Sequence, residues 1–229
     1  HPLADMVEQY ADRQGKNISS AVIVVNNATH EVLAYVGSSR FADEHRAGYV
    51  DMATAIRSPG SALKPILFGL SLDSGLIHSH SLLADTPRLL SRYRPGNFTR
   101  GFAGPVSASG ALQQSLNLPF VQLIEAYGSQ KFSNRLKHVG QPLAIPQGKP
   151  SPAIILGGVG TSLEQLATLY SGLANGGTVY ELSYTKEKTS SGARRLLSPS
   201  AAWITLKTLE GLQPPPGFGF GLSHAQRPT

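Results

Sequence analysis

Apolar residues recur along this 229-residue chain at helical and alternating spacings, separated by clusters of glycine, proline and asparagine. Leu3, Met6, Val7 and Tyr10 lie at i, i+3, i+4 and i+7, which predicts a short amphipathic helix. Ile18–Val25 is rich in β-branched residues, Asn26-Asn27-Ala28-Thr29 reads as a turn, and Glu31–Val36 reads as the returning strand of a hairpin. Residues 41–56 are mixed. From about Ser61 to Leu72, Leu63, Ile66, Leu67, Leu70 and Ser71 fit the buried face of a helix, with Gly75 as its stop.

Residues 84–106 carry Pro87, Pro95, Gly96, Gly101, Gly104 and Pro105, which predicts a long loop. A helix over Ser107–Gln114 follows, then a break marked by Pro119, then helical spacing again over Phe120–Tyr127. Residues 141–162 read as a second loop. Thr161-Ser162-Leu163-Glu164 fits a capping box with Glu164 as its third helical residue, opening a helix that ends near Asn175-Gly176-Gly177. Thr178–Tyr184 alternates like a strand. Ser198-Pro199 supplies an N-cap and a first-turn proline for a helix to about Glu210, stopped by Gly211. Trp203, the only tryptophan, is expected to pack from that helix.

The composition, 41% hydrophobic and 15% charged, is that of a folded chain able to bury a sizeable core. No apolar run approaches the roughly 18 residues of a membrane span. The chain opens at His1 with no signal-peptide pattern, so it reads as a segment of something longer. Cysteine is absent, which excludes disulfides and thiolate metal sites. The net charge of +6 is dispersed in Lys/Arg runs of two at most, so it reads as a solvated surface. Nucleic-acid binding is not expected, since no motif and no aromatic interleaving accompanies the basic residues. His78-Ser79-His80 lacks the spacing of a metal site, and no metal or cofactor is expected.

The chemistry concentrates in Arg57-Ser58-Pro59-Gly60-Ser61-Ala62-Leu63-Lys64-Pro65. Ser61 and Lys64 stand three apart at a predicted helix start, on one face of its first turn. A neutral lysine amine can take the proton of a serine hydroxyl, and free N–H groups at a helix start can face an oxyanion. Pro65 has no N–H and crowds the Ser61 carbonyl, so this first turn cannot be regular α throughout. S-x-x-K alone is weak: Ser183-Tyr184-Thr185-Lys186 repeats it in what reads as a solvated strand end and loop. Ser115-Leu116-Asn117 follows the first copy and is the only S-x-N in the chain. By residue type alone, Ser115 and Asn117 serve equally well as a helix C-cap and N-cap.

Ser58-Pro59-Gly60-Ser61-Ala62-Leu63-Lys64-Pro65 resembles the nucleophile segment of penicillin-binding proteins. Tyr93-Arg94-Pro95-Gly96-Asn97-Phe98, Gly104-Pro105-Val106, Ala111-Leu112 and Ser115-Leu116-Asn117-Leu118-Pro119 resemble their run into the second motif. Leu166–Tyr170 through Leu173-Ala174-Asn175-Gly176-Gly177 resembles the helix that follows. The likeness spans about residues 18–212 and is greatest to class A enzymes of the 1C type.

The resemblance implies an α/β (α+β) transpeptidase fold, a mixed sheet flanked by helices, with the hairpin behind the nucleophile helix. It implies a partial penicillin-binding transpeptidase domain over 1–212 and a divergent Pro/Gly-rich tail over 213–229. It implies acyl transfer on D-Ala-D-Ala stem peptides of peptidoglycan, blocked by β-lactams. Ser61 would be the nucleophile, Lys64 its base, Ser115 the relay to the leaving amine, and Asn117 the holder of the acyl side-chain amide. The parent protein would be anchored in the inner membrane with this domain in the periplasm. The third family motif, K-T-G, is absent, and Lys207-Thr208-Leu209 inside a predicted helix is a poor substitute. That strand would supply an oxyanion donor and a cation helping to keep Lys64 neutral, so turnover is doubtful. Two alternatives stand beside the enzyme: a non-catalytic scaffold or interaction fragment, and a serine β-lactamase or β-lactam sensor. A lactamase would need a carboxylate to activate water, a role for which Glu164 is a weak candidate.

Overall fold

The computed structural model describes residues 2–86, 102–185 and 192–213. Its centre is the helix α2 (Lys64–Asp73), in which every residue from Lys64 to Ser71 is buried. A helix apolar on all sides must be enclosed, and α2 is enclosed by α3 (Ala108–Gln113), α4 (Asn117–Tyr127) and α7 (Pro199–Glu210). Gly69 leaves room for Leu197 and for α7. A Cβ there would stand 2.7 Å from Leu197 Cδ1 and 3.0 Å from Thr205 Oγ1. Phe120 and Ile124 from α4 and Phe132 and Leu136 from α5 (Ser129–His138) complete the core.

The expected hairpin forms from β1 (Val22–Val25) and β2 (Val32–Val36), in register Val22↔Val36 and Val24↔Ala34 with a bulge at Val25. It packs on α1 (Pro2–Gln14) and on α6 (Leu163–Ala174). Ser183 adds a parallel bridge beside Glu31, with Val32 N–H donating to the Ser183 carbonyl at 2.8 Å. The sheet content of the described residues is this hairpin and two further antiparallel pairs. These are β3 (Leu82–Asp85) with β4 (Gly104–Ser107) and β5 (Thr178–Val179) with β6 (Arg194–Arg195).

Several local expectations change. The α-helix expected from Ser61 begins at Lys64, because Pro65 cannot bond to the Ser61 carbonyl. The ends of the expected 84–106 loop pair as β3 and β4, and the Tyr93–Phe98 stretch lies outside the described residues. The helix after the break starts at Asn117 rather than Phe120, with Pro119 in its first turn, where no N–H is needed. The capping box is shifted by one residue: Ser162 caps, and Gln165 rather than Glu164 answers it.

Only Thr178–Val179 of the expected 178–184 strand pairs as a named strand. On α1 the inward residues are Val7 and Ala11, while Met6 and Tyr10 face solvent. Trp203 is 61% exposed, so it is not a core packing residue. It lies under the Lys207 ammonium, 6.0 Å from the ring centroid. Ser183, read as a solvated strand end, is buried and donates to the Thr185 carbonyl; Lys186 lies outside the described residues.

Candidate active site

The turn preceding α2 is held from three sides. Arg57 pairs with Thr161 through reciprocal 2.9 Å backbone bonds. The Ser58 hydroxyl donates to the Gly157 carbonyl at 2.7 Å and accepts from Gly60 N–H at 3.3 Å. Tyr170 on α6 donates its hydroxyl to the Ala62 carbonyl at 2.9 Å. Gly157 has φ +92°, and a Cβ there would meet Ser58 Oγ at 2.5 Å and the Gly60 Cα at 2.8 Å. The turn and the chain behind it therefore touch backbone to backbone.

Within this turn the bonds are of the i→i−3 kind. Ala62 N–H donates to the Pro59 carbonyl and Lys64 N–H to the Ser61 carbonyl, each at 3.0 Å. Regular α bonding follows, with Leu67 N–H on the Leu63 carbonyl at 3.1 Å. Ser61 sits half-buried one such turn ahead of Lys64.

The Lys64 side chain is 1% exposed and has no carboxylate beside it among the described residues. Its Nζ donates to the Ser115 carbonyl at 2.7 Å and to Asn117 Oδ1 at 2.8 Å, and stands 3.3 Å from Ser115 Oγ. The Phe120 ring lies to one side, its centroid 5.6 Å away. Burial lowers the Lys64 pKa to about 8. The positive ends of α2 and α4, which open at Lys64 and Asn117, act in the same direction. About a tenth of the amine is then neutral at pH 7. Burial thus shifts Lys64 toward the neutral form without the second cation expected from a K-T-G strand.

Ser115 reaches Lys64 because α3 ends in a Schellman turn. Leu116 N–H donates to the Ala111 carbonyl and Ser115 N–H to the Leu112 carbonyl, each at 3.0 Å. Ser115 is the left-handed residue of that turn, with φ +52°. A non-glycine residue there carries about 1 kcal/mol or more of strain. The turn aims both the Ser115 carbonyl and its hydroxyl at Lys64. Asn117 is not the N-cap of α4, which is Leu116, but its first helical residue. The Ser115 backbone thus ends a helix while its hydroxyl stands 3.3 Å from Lys64 Nζ.

The chain matches the family described as the penicillin binding protein transpeptidase domain over residues 20–218. It belongs to that family. Penicillin-binding protein 1C of Escherichia coli strain K12 is 46% identical over 203 residues, 88% of this chain and 26% of that protein. Penicillin-binding protein 1B of Vibrio cholerae is 27% identical over 226 residues, 91% of this chain and 28% of that protein. The chain thus spans about a quarter of the length of these curated relatives. Among solved structures, the apo TP domain of Burkholderia pseudomallei penicillin-binding protein 3 superimposes with a TM-score of 0.72 at 18% identity. That match covers 92% of this chain and 68% of the other. A peptidoglycan glycosyltransferase from Burkholderia ambifaria gives a TM-score of 0.74 at 19% identity, covering 91% and 72%. The transpeptidase fold is therefore shared well beyond recognisable sequence similarity.

In this transpeptidase-family domain, Lys64, Ser115 and Asn117 converge by direct contact, and Ser61 lies on the adjoining turn. Sequence reading assigned no role to Tyr170 or Gly157. The only signal available for them was a glycine pair at 157–158 and a tyrosine within the helix opened by Ser162, and neither pattern points to Ser61.

Proposed function

We propose that this chain is the acyl-transfer domain of a peptidoglycan D,D-transpeptidase, with Ser61 as nucleophile. The observation that supports this best is the state of Lys64: buried, with no carboxylate beside it among the described residues, and hydrogen-bonded to Ser115 and Asn117. A neutral amine has two N–H donors and one lone pair. The two short contacts, to the Ser115 carbonyl and Asn117 Oδ1, use both donors and leave the lone pair to receive a hydroxyl proton.

In the proposed reaction, Ser61 Oγ attacks the penultimate D-alanyl carbonyl of a stem peptide while its proton passes to Lys64. The carbonyl C–N bond then breaks. The leaving D-alanine amine takes a proton from the Ser115 hydroxyl, which is replenished from Lys64 across the 3.3 Å contact. Asn117 binds the acyl side-chain amide. A second stem-peptide amine displaces Ser61 from the ester, forming the cross-link and returning the proton to the serine. A β-lactam would enter as a D-Ala-D-Ala mimic and remain as the Ser61 ester.

The domains are proposed as a transpeptidase unit over 1–212 and a tail over 213–229, in a membrane-anchored parent protein acting outside the cytoplasm. No helix among the described residues is long and apolar enough to cross a membrane. The lactamase alternative gains no support, since Glu164 is engaged by the Tyr184 hydroxyl.

The test is intact mass after exposure of the folded protein to a penicillin, with Ser61→Ala as control. One adduct that the control lacks supports the reading. No adduct on a protein shown folded by circular dichroism overturns it for this chain and favours the scaffold alternative.

A further inference from the structure

Two residues outside the S-x-x-K and S-x-N motifs shape the backbone turn that joins Ser61 to Lys64. In an α-turn the Ser61 carbonyl would accept from the N–H of residue 65, but Pro65 has none. The carbonyl takes Lys64 N–H instead, at 3.0 Å, and the preceding bond from Ala62 to Pro59 is of the same i→i−3 kind. Side chains three apart stand about 60° from each other around an α-helix but eclipse in a 3₁₀ turn. Pro65 therefore leaves Ser61 and Lys64 joined by a single i→i−3 turn, in which side chains three apart stand closer in angle than in an α-turn. The Ala62 carbonyl, between the two, is gripped by the Tyr170 hydroxyl at 2.9 Å. Burial pushes that hydroxyl's pKa up, so it remains a protonated donor.

We infer that Pro65 and Tyr170 are positioning residues for the Ser61–Lys64 pair. Pro65 denies the turn its α-helical bond, and Tyr170 clamps the resulting i→i−3 turn against α6. This inference rests on the proposed roles of Ser61 and Lys64, and neither positioning residue touches substrate.

The test uses Pro65→Ala and Tyr170→Phe with two readouts. The first is acylation by a fluorescent penicillin, separated into the dissociation constant of the initial complex and the acylation rate constant. Pro65→Ala should lower the rate constant about ten- to hundredfold with the dissociation constant nearly unchanged. Tyr170→Phe should give a smaller change in the same direction. The second readout does not depend on penicillin. The chain has no cysteine, so Ser61→Cys places a unique thiol beside Lys64. Its alkylation profile against pH should lie below the free-thiol value of about 8.5. Adding Pro65→Ala should move that profile back upward by about half a pH unit or more.

A purely structural role would change stability without moving the thiol profile. If both variants fold and match their parents in rate constant and thiol profile, the inference is overturned. If the parent takes up no penicillin, the proposed function fails while the thiol profile still decides the inference. If Pro65→Ala does not fold, Tyr170→Phe decides it by the same readouts.

Discussion

The carbonyl and the hydroxyl of Ser115 both face the Lys64 ammonium, at 2.7 and 3.3 Å, because Ser115 occupies the left-handed position of a helix-ending turn. A position that ordinarily suits glycine is held by a serine, whose hydroxyl stands 3.3 Å from Lys64 Nζ. Replacing it separates backbone from side chain. Ser115→Gly and Ser115→Ala both delete the hydroxyl, but only glycine relieves the strain at φ +52°. The glycine variant should be about 1 kcal/mol more stable than the alanine variant, or about 2–4 °C in Tm. Both should acylate more slowly than the parent in a penicillin-binding assay.

Stability should depend on pH through Lys64. Its folded pKa of about 8 lies below the ordinary value of 10.5, so between these the unfolded chain binds more protons. The cost of burying the charge is fully present below pH 8 and is relieved as pH rises toward 10.5, a gain of about 3 kcal/mol across the window. Tyr35 and Tyr184 have pKa values pushed well up, so they act in the opposite sense above pH 10. Urea unfolding from pH 7 to 10 should show stability rising in the parent and a flatter profile in Lys64→Met.

Gly157→Ala should cost about 1–3 kcal/mol by overpacking, since the new Cβ would meet Ser58 Oγ at 2.5 Å and the Gly60 backbone at 2.8 and 2.9 Å. The backbone of the serine turn has to move to admit it. Loss of penicillin acylation beyond the loss of folded protein, measured by gel fluorescence against circular dichroism, is the expected outcome.

Trp203→Ala should change stability by no more than about 0.5 kcal/mol, because the indole is 61% exposed and its ring centroid lies 6.0 Å from the Lys207 ammonium. Thermal unfolding followed by circular dichroism checks this, as the variant loses the chain's only tryptophan.

The parts of this fold that sequence made legible are those in which one residue dictates one local geometry. Pro65 ruled out a regular first turn, and the Ser61 carbonyl bonds Lys64 N–H in an i→i−3 turn instead. Ser198 with Pro199 opened α7, and Gly211 closed it. Legibility failed where two residues offered the same chemistry. Thr161 and Ser162 can both cap, and tertiary pairing of Thr161 with Arg57 left the task to Ser162. It also failed where the deciding quantity was three-dimensional. Nothing in Leu112–Asn117 as a string shows that a serine takes a left-handed conformation, or that burial alone brings Lys64 to about 8.

The enclosure of α2 has a consequence for motion. Every residue from Lys64 to Ser71 is buried and the helix packs on α3, α4 and α7, so this stretch cannot open without parting those contacts. Its amide protons are expected to exchange with solvent only when the whole domain unfolds, which makes it the slowest-exchanging segment of the chain. The lysine at the site is the first residue of that segment. The site is therefore anchored in the part of the molecule that breathes least, and any adjustment needed to admit a substrate falls to the Ser115 turn and the loops around it.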